Sequence, residues 1–123
     1  MSGPGFDPRP RVVEERGVAR LRGSRCTTCG HVLAFHAPRC PACRGPLEEA
    51  SFGPDGRVWS ATVVRVAVPG REPPYGLAYV DLDAGPRVLA HYEPPGDRSL
   101  RVGARVRLRG CTPQGDPAVE EVA

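Results

Sequence analysis

Lysine is absent from the chain, so all 17 basic side chains are arginine. Together with the surplus of Ala, Gly and Pro, this looks like the codon bias of a GC-rich genome. Arginine abundance is therefore discounted as a functional signal. Aromatic residues make up only 6% of the chain, with a single Trp, which leaves few side chains for a stacking platform. No apolar run approaches the ~18 residues that a membrane-spanning helix needs. The N-terminal MSGPGFDPRP lacks the apolar centre of a secretory signal. Both absences point to a cytoplasmic protein with no membrane partner. There is no internal repeat, and no low-complexity tract beyond the N-terminal arm.

The chain's 123 residues fit one compact domain or two very small ones in contact, which argues against a large buried active site. The 15 Gly and 15 Pro interrupt long helices and favour short strands joined by turns. A net charge of +3 and a pI near 8.8 are only mildly basic. That falls short of the pI above about 9 expected of a nucleic-acid-binding domain.

Four of the five cysteines form two Cys-x-x-Cys pairs, Cys26-Thr-Thr-Cys29-Gly30 and Cys40-Pro-Ala-Cys43-Arg-Gly45. Without an export signal, thiols stay reduced and more often hold metal than form disulfides. Two such turns can surround one tetrahedral zinc ion, with glycine taking the left-handed conformation after the second thiolate. Unrelated buried cysteines, a redox Cys-x-x-Cys and a rubredoxin-like iron site are the alternatives. A four-thiolate site is closed, so its metal is structural and supplies folding energy to a ribbon too small to bury a core.

Around this ribbon the reading is mainly β. Residues 1–17 form an arm with a short helix from Pro10 to Arg16, Pro at its first turn and Gly17 at its end. Residues 18–52 are the zinc ribbon, entered by the strand VARLRGSR. Residues 53–123 carry the runs RVWSATVVRVAV, YGLAYVDLD, RVLAHYE, ARVRLRG and AVEEVA, separated by Gly, Pro and Asp turns. Five strands in that span suit an OB-type Greek-key barrel better than an immunoglobulin-like sandwich, which needs about seven.

No active site assembles from the remaining residues. His31 and His36 lie in the ribbon, where the ligand set is already complete. His91 has no partner nucleophile or paired carboxylate. Glu48, Glu49, Asp81 and Asp83 read as solvated charges, and Cys111 as an incidental loop cysteine. Among the aromatics Phe52, Trp59, Tyr75, Tyr79 and Tyr92, alternation puts some inward, while Trp59 and Tyr75 suit core and contact surface equally.

The ribbon CTTCG and PRCPAC, then GRVWSATVVR, PPYGLAYVDLD and LRVGARVRL, resemble the domain-of-unknown-function 35 (DUF35) family over nearly the whole chain after about residue 12. The resemblance implies a rubredoxin-like zinc ribbon followed by an OB fold, in a non-catalytic partner of thiolase-superfamily acyl-CoA enzymes: thiolases, acyltransferases or steroid side-chain aldolases. It further implies a two-plus-two hetero-tetramer, contact with a CoA thioester in the complex, and in some members a MaoC-like hydratase, which here would be a separate polypeptide. Candidate contact residues, from placement, are Phe6, Leu33, Phe35, Trp59 and Tyr75, with the loop from Val68 to Tyr75. The short acidic segment after Arg109 departs from the family pattern and leaves barrel closure open. A single-stranded nucleic-acid binder using Arg57, Arg65, Arg105, Arg107 and Arg109 is the alternative function. An autonomous enzyme is a third, with no residues behind it.

Overall fold

The computed structural model describes residues 9–122, and among them every regular element is a strand. The first is β1 (Arg11–Glu15), where a helix was expected. Val12 and Val13 are β-branched and lose χ1 freedom in a helix, whereas in a strand they pair across β2 (Val18–Cys26), Val12 opposite Leu21 and Val13 opposite Arg20. Arg16 and Gly17 join the strands at φ 54° and 77°, both left-handed. That is the type I′ geometry whose twist matches a hairpin. Gly17 is thus a turn residue and not a helix cap.

Strand β2 runs through the centre of the first sheet. On one edge it carries β4 (Leu47–Phe52), from Leu21 opposite Phe52 to Cys26 opposite Leu47. On the other it carries β1 and then β3 (Val32–Leu33). Gly23 permits this crossing, since a Cβ there would lie 2.1 Å from the Leu33 carbonyl oxygen.

The second sheet comprises β5 (Asp55–Val64), β6 (Tyr75–Leu82), β7 (Arg87–Tyr92), β8 (Arg105–Cys111) and β9 (Pro117–Glu121). It closes in the order β5-β6-β7-β9-β8 with β8 back on β5. The β7–β9 pairing is parallel and the others antiparallel. This is the OB Greek key. The segment after Arg109 supplies β9, which seals the barrel by pairing with both β8 and β7.

Alternation turns Val58, Ala78, Val80, Leu82, Val88, Ala90, Val106 and Leu108 inward, joined by Val119 and by Leu100 from the β7–β8 loop. Each full burial of a Val or Leu stabilises the fold by roughly 1.5–3 kcal/mol. Leu21, Ala50 and Phe52 of the first sheet belong to the same core cluster, so the two sheets share one apolar interior.

Candidate functional site

The two Cys-x-x-Cys turns have matching backbone bonds. In the first, the Gly30 amide donates to the Cys26 carbonyl (3.1 Å) and the Cys26 amide to the His31 carbonyl (2.8 Å). In the second, the Arg44 amide donates to the Cys40 carbonyl (2.8 Å) and the Cys40 amide to the Gly45 carbonyl (3.0 Å). The left-handed residue after the second thiolate is Gly30 (φ 80°) in one turn but Arg44 (φ 66°) in the other. Gly45 is required for a different reason, as a Cβ there would stand 2.8 Å from Thr28 Oγ1.

These turns bring the Sγ atoms of Cys26, Cys29, Cys40 and Cys43 within 4.8 Å of one another. Cys26 and Cys43 lie 3.5 Å apart, and Cys29 and Cys40 3.7 Å. A tetrahedron with metal–sulfur bonds of about 2.3 Å has edges of about 3.8 Å, so the sulfurs are spaced to hold a metal ion. Amides of Thr28 and Cys29 donate to Cys26 Sγ, that of Ala42 to Cys40 Sγ, and that of Gly45 to Cys43 Sγ, at 3.3–3.4 Å.

The Cys29 amide, with that of Thr28 and neighbouring thiols, brings the Cys26 thiol down to about 6. The Gly45 amide acts to lower Cys43, but the thiols of Cys26, Cys29 and Cys40 together with desolvation push it up to about 12. Four thiolates this close cannot coexist without a cation, so the first ionises readily and another resists. Among the described residues this is the only such cluster, and neither His31 nor His36 joins it.

His36 instead lies between Ser24 Oγ (3.3 Å from Nδ1) and Glu49 (3.5 Å from Nε2). The sequence of partners superficially resembles a hydrolase triad. Ser24, however, is 1% exposed and donates its proton to the Phe35 carbonyl (2.9 Å), so it is a structural tie and no nucleophile.

The outer face of β5–β6–β7 carries three exposed apolar side chains, Trp59, Tyr79 and Leu89. A bulge between Val58 and Ser60 displaces Trp59 from the pairing, a device that re-aims side chains. Trp59 is 50% exposed and meets Tyr79 edge-on, with ring centres 6.1 Å apart. Leu89, directly opposite Tyr79 on β7, extends the patch. Arg87 lies 3.9 Å over the Trp59 ring and donates from Nε and Nη2 to Asp81, at 2.6 and 3.1 Å. Leu89 was not singled out from the sequence, although the inward alternation of Val88, Ala90 and Tyr92 signals it.

The other contact candidates are placed differently. Leu33 is buried at 7% exposure, Phe35 is exposed at 41%, and Phe6 lies outside the described residues. Tyr75 stacks on His91 with ring centres 6.0 Å apart and takes Arg71 over its face. Arg71 is ion-paired with Asp116 and donates to Gln114 Oε1 (3.0 Å), while Gln114 donates to the Gly70 carbonyl (2.8 Å). The loop from Val68 to Tyr75 is thereby clasped to the β8–β9 turn. His91 sits 3.7 Å from Asp116; burial first, then the charge of Arg71, holds its imidazole below the ordinary range.

Of the arginines proposed to track phosphates, Arg65 pairs with Asp97, Arg105 with Asp83 and Arg107 with Asp55. No helix among the described residues is long and apolar enough to cross a membrane.

Residues 49–110 match the family model described as the C-terminal OB-fold domain of ChsH2. A DUF35 domain-containing scaffold protein of Methanothermobacter thermautotrophicus is 34% identical over 72% of this chain and 69% of its own length. Its counterpart in Pyrococcus furiosus is 37% identical over 72% of this chain and 67% of its length. The benzoylsuccinyl-CoA thiolase subunit BbsA of Geobacter metallireducens is 34% identical over 67% of this chain and 56% of its own. A solved chain of an Ltp2-ChsH2(DUF35) aldolase superposes with a TM-score of 0.71 at 25% identity, over 85% of this chain and 86% of that one. With a cysteine cluster before a closed five-strand barrel and these relatives on both halves, the chain belongs to the DUF35 family.

Proposed function

We propose that this chain is a non-catalytic accessory subunit that binds and stabilises a thiolase-superfamily acyl-CoA enzyme and helps to shape its acyl-CoA site. The likeness to a named thiolase subunit carries this reading, and the likeness to a DUF35 aldolase component supports it. The carbon–carbon bond chemistry then belongs to the partner. The four cysteines hold a structural zinc ion in a ribbon spanning residues 18–52, and the barrel of residues 53–123 presents the partner-facing surface. The complex is a cytoplasmic two-plus-two assembly, and any MaoC-like hydratase joins as a separate chain.

The exposed cluster of Trp59, Tyr79 and Leu89 supports this role, because Trp and Tyr held rigid beside an Arg are the residue types that dominate interface energetics. Nucleic-acid binding is less well supported, since Arg65, Arg105 and Arg107 are already spent on carboxylates.

An affinity pull-down of the tagged chain from its native extract, nuclease-treated and at moderate salt, tests the proposal. It predicts a thiolase-like subunit in near-equal amount. Burying the exposed half of Trp59 against a partner would contribute ~3 kcal/mol, from roughly 125 Å² of apolar surface, so Trp59→Ala should weaken the isolated complex about a hundredfold. Recovery of nucleic acid from an untreated control, with no thiolase-like protein, would replace the accessory reading.

A further inference from the structure

The four clustered cysteines are not equivalent. Cys26 and Cys40 are 2% and 1% exposed, whereas Cys29 and Cys43 are open to solvent. Each Cys-x-x-Cys turn thus buries its first cysteine and leaves its second accessible. From this asymmetry, and from the amides that reach each sulfur, we infer that Cys29 is a modification site, the ligand through which a peroxide-class oxidant opens the metal centre. The inference goes beyond the accessory role and does not depend on it. It rests on a metal ion filling the four-cysteine cluster.

Cysteines that ligate a metal do so as thiolates, so thiolate fraction does not separate the four. Susceptibility then follows access to solvent and the electron density left on each sulfur. Access sets Cys26 and Cys40 aside, and hydrogen bonding decides between the other two. The Gly45 amide donates to Cys43 Sγ at 3.3 Å, drawing charge from that sulfur. No amide of a described residue donates to Cys29 Sγ, which instead lies 3.7 Å from Cys40 Sγ. The turns are otherwise matched, since the Cys26 amide meets the His31 carbonyl as the Cys40 amide meets the Gly45 carbonyl. His31 therefore stands where Gly45 stands in the second turn, yet its N–H leaves the sulfur unbonded. Cys29 is the accessible thiolate with the least amide support.

In the modification step Cys29 Sγ attacks one oxygen of hydrogen peroxide. The S–O bond forms as the O–O bond breaks, and hydroxide leaves. The sulfur is oxidised by two electrons to a sulfenic acid, and the peroxide is reduced by the same two. The thiolate that the metal needs is then gone, and three ligands remain around a site open on its solvent side. Strand β2 carries Cys26 at its end and Leu21 in the shared core, so loosening of the ribbon reaches the barrel. Thiols reverse the sulfenic state, which makes the cluster a reversible oxidant-responsive element.

The test uses the zinc-loaded full chain carrying Cys111→Ser, because Cys111 is an exposed thiol outside the cluster. A substoichiometric pulse of N-ethylmaleimide, followed by peptide mapping, should place the first adduct on Cys29. Zinc release under hydrogen peroxide, followed with a chromogenic chelator, is then compared between Cys29→His and Cys43→His, each of which keeps a zinc ligand while removing one sulfur. One missing hydrogen bond corresponds to about a fivefold difference in rate. Cys29→His should therefore slow release about fivefold, and Cys43→His should leave it close to that of the parent. Circular dichroism and zinc content confirm that each variant is folded and loaded, and the mapping decides the matter should either lose its metal. A first adduct on Cys26, Cys40 or Cys43, or equal release rates in the two loaded variants, would overturn the inference.

Discussion

Replacing Tyr92 by Phe removes one oxygen from the base of the barrel and tests how the long β7–β8 loop is held. The ring is buried at 3% exposure, so its packing survives the change. The hydroxyl donates to the Thr62 carbonyl at 2.9 Å and accepts from the buried Leu100 amide at 3.3 Å, with Ser99 Oγ also 3.3 Å away. It therefore joins β5 to the loop that carries Leu100 into the core. Without it the buried Leu100 N–H loses its acceptor. An orphaned buried group of this kind costs about 1–3 kcal/mol.

Taking ~2 kcal/mol, and an unfolding entropy of about 2.1 cal/mol/K for each residue, the midpoint of thermal unfolding should fall by about 8 °C. The assay is calorimetry with zinc in excess, so that metal occupancy does not vary between variants. Ser99→Ala should shift the midpoint far less, because Ser99 is exposed and its oxygen is replaceable by water. A shift below about 2 °C for Tyr92→Phe, or equal shifts for the two variants, would refute the staple argument, since an unmet buried amide carries a larger cost.

Stripping the metal should lower the melting point of the whole chain, not of the ribbon alone, because Leu21, Ala50 and Phe52 share the barrel's core. Melts with and without a strong chelator, beside an assay expecting one zinc per chain, check this; an unchanged melt after metal loss would contradict it. On acidification from neutral to about pH 5.5, His91 should destabilise the fold. Its folded pKa is lowered, so the unfolded chain binds the proton first and stability falls from the ordinary imidazole pKa down towards the lowered one. His91→Gln should flatten part of that fall in melting temperature, and an identical slope would count against the assignment. Asp81 and Asp83 are held below the ordinary range by hydrogen bonds from Arg87 and Arg105, so their contribution persists to lower pH and is lost as each protonates.

The barrel was legible because its strands alternate cleanly, Val88, Ala90 and Tyr92 inward against Arg87, Leu89 and His91 outward, with turn residues between runs. The four-cysteine cluster was legible because the spacing of two Cys-x-x-Cys turns admits few other arrangements. Strand β1 was not, since Pro10 and Gly17 punctuate a short helix and a hairpin equally well. The choice rests on pairing with Val18–Arg22, a tertiary fact. The Arg71–Asp116 clasp joins residues 45 positions apart, and no local pattern connects them. Trp59 could be read as core or surface until the bulge beside it settled its direction.

The same placements bear on what kind of function this fold can have. A nucleophile needs an accessible, activated atom, and here Ser24 is buried with its proton on the Phe35 carbonyl. Four cysteines face one another around a point suited to a metal, which closes that site to substrate. Burial and then the charge of Arg71 hold the His91 imidazole below its ordinary range against the pull of Asp116, and no hydrogen bond ties it to a serine or cysteine among the described residues. What the chain does offer is surface, an aromatic face on β5–β6–β7. Loss of partner capture in Trp59→Ala, with melting temperature and zinc content unchanged, would establish that face as the docking surface, and capture at the level of the unaltered chain would refute it.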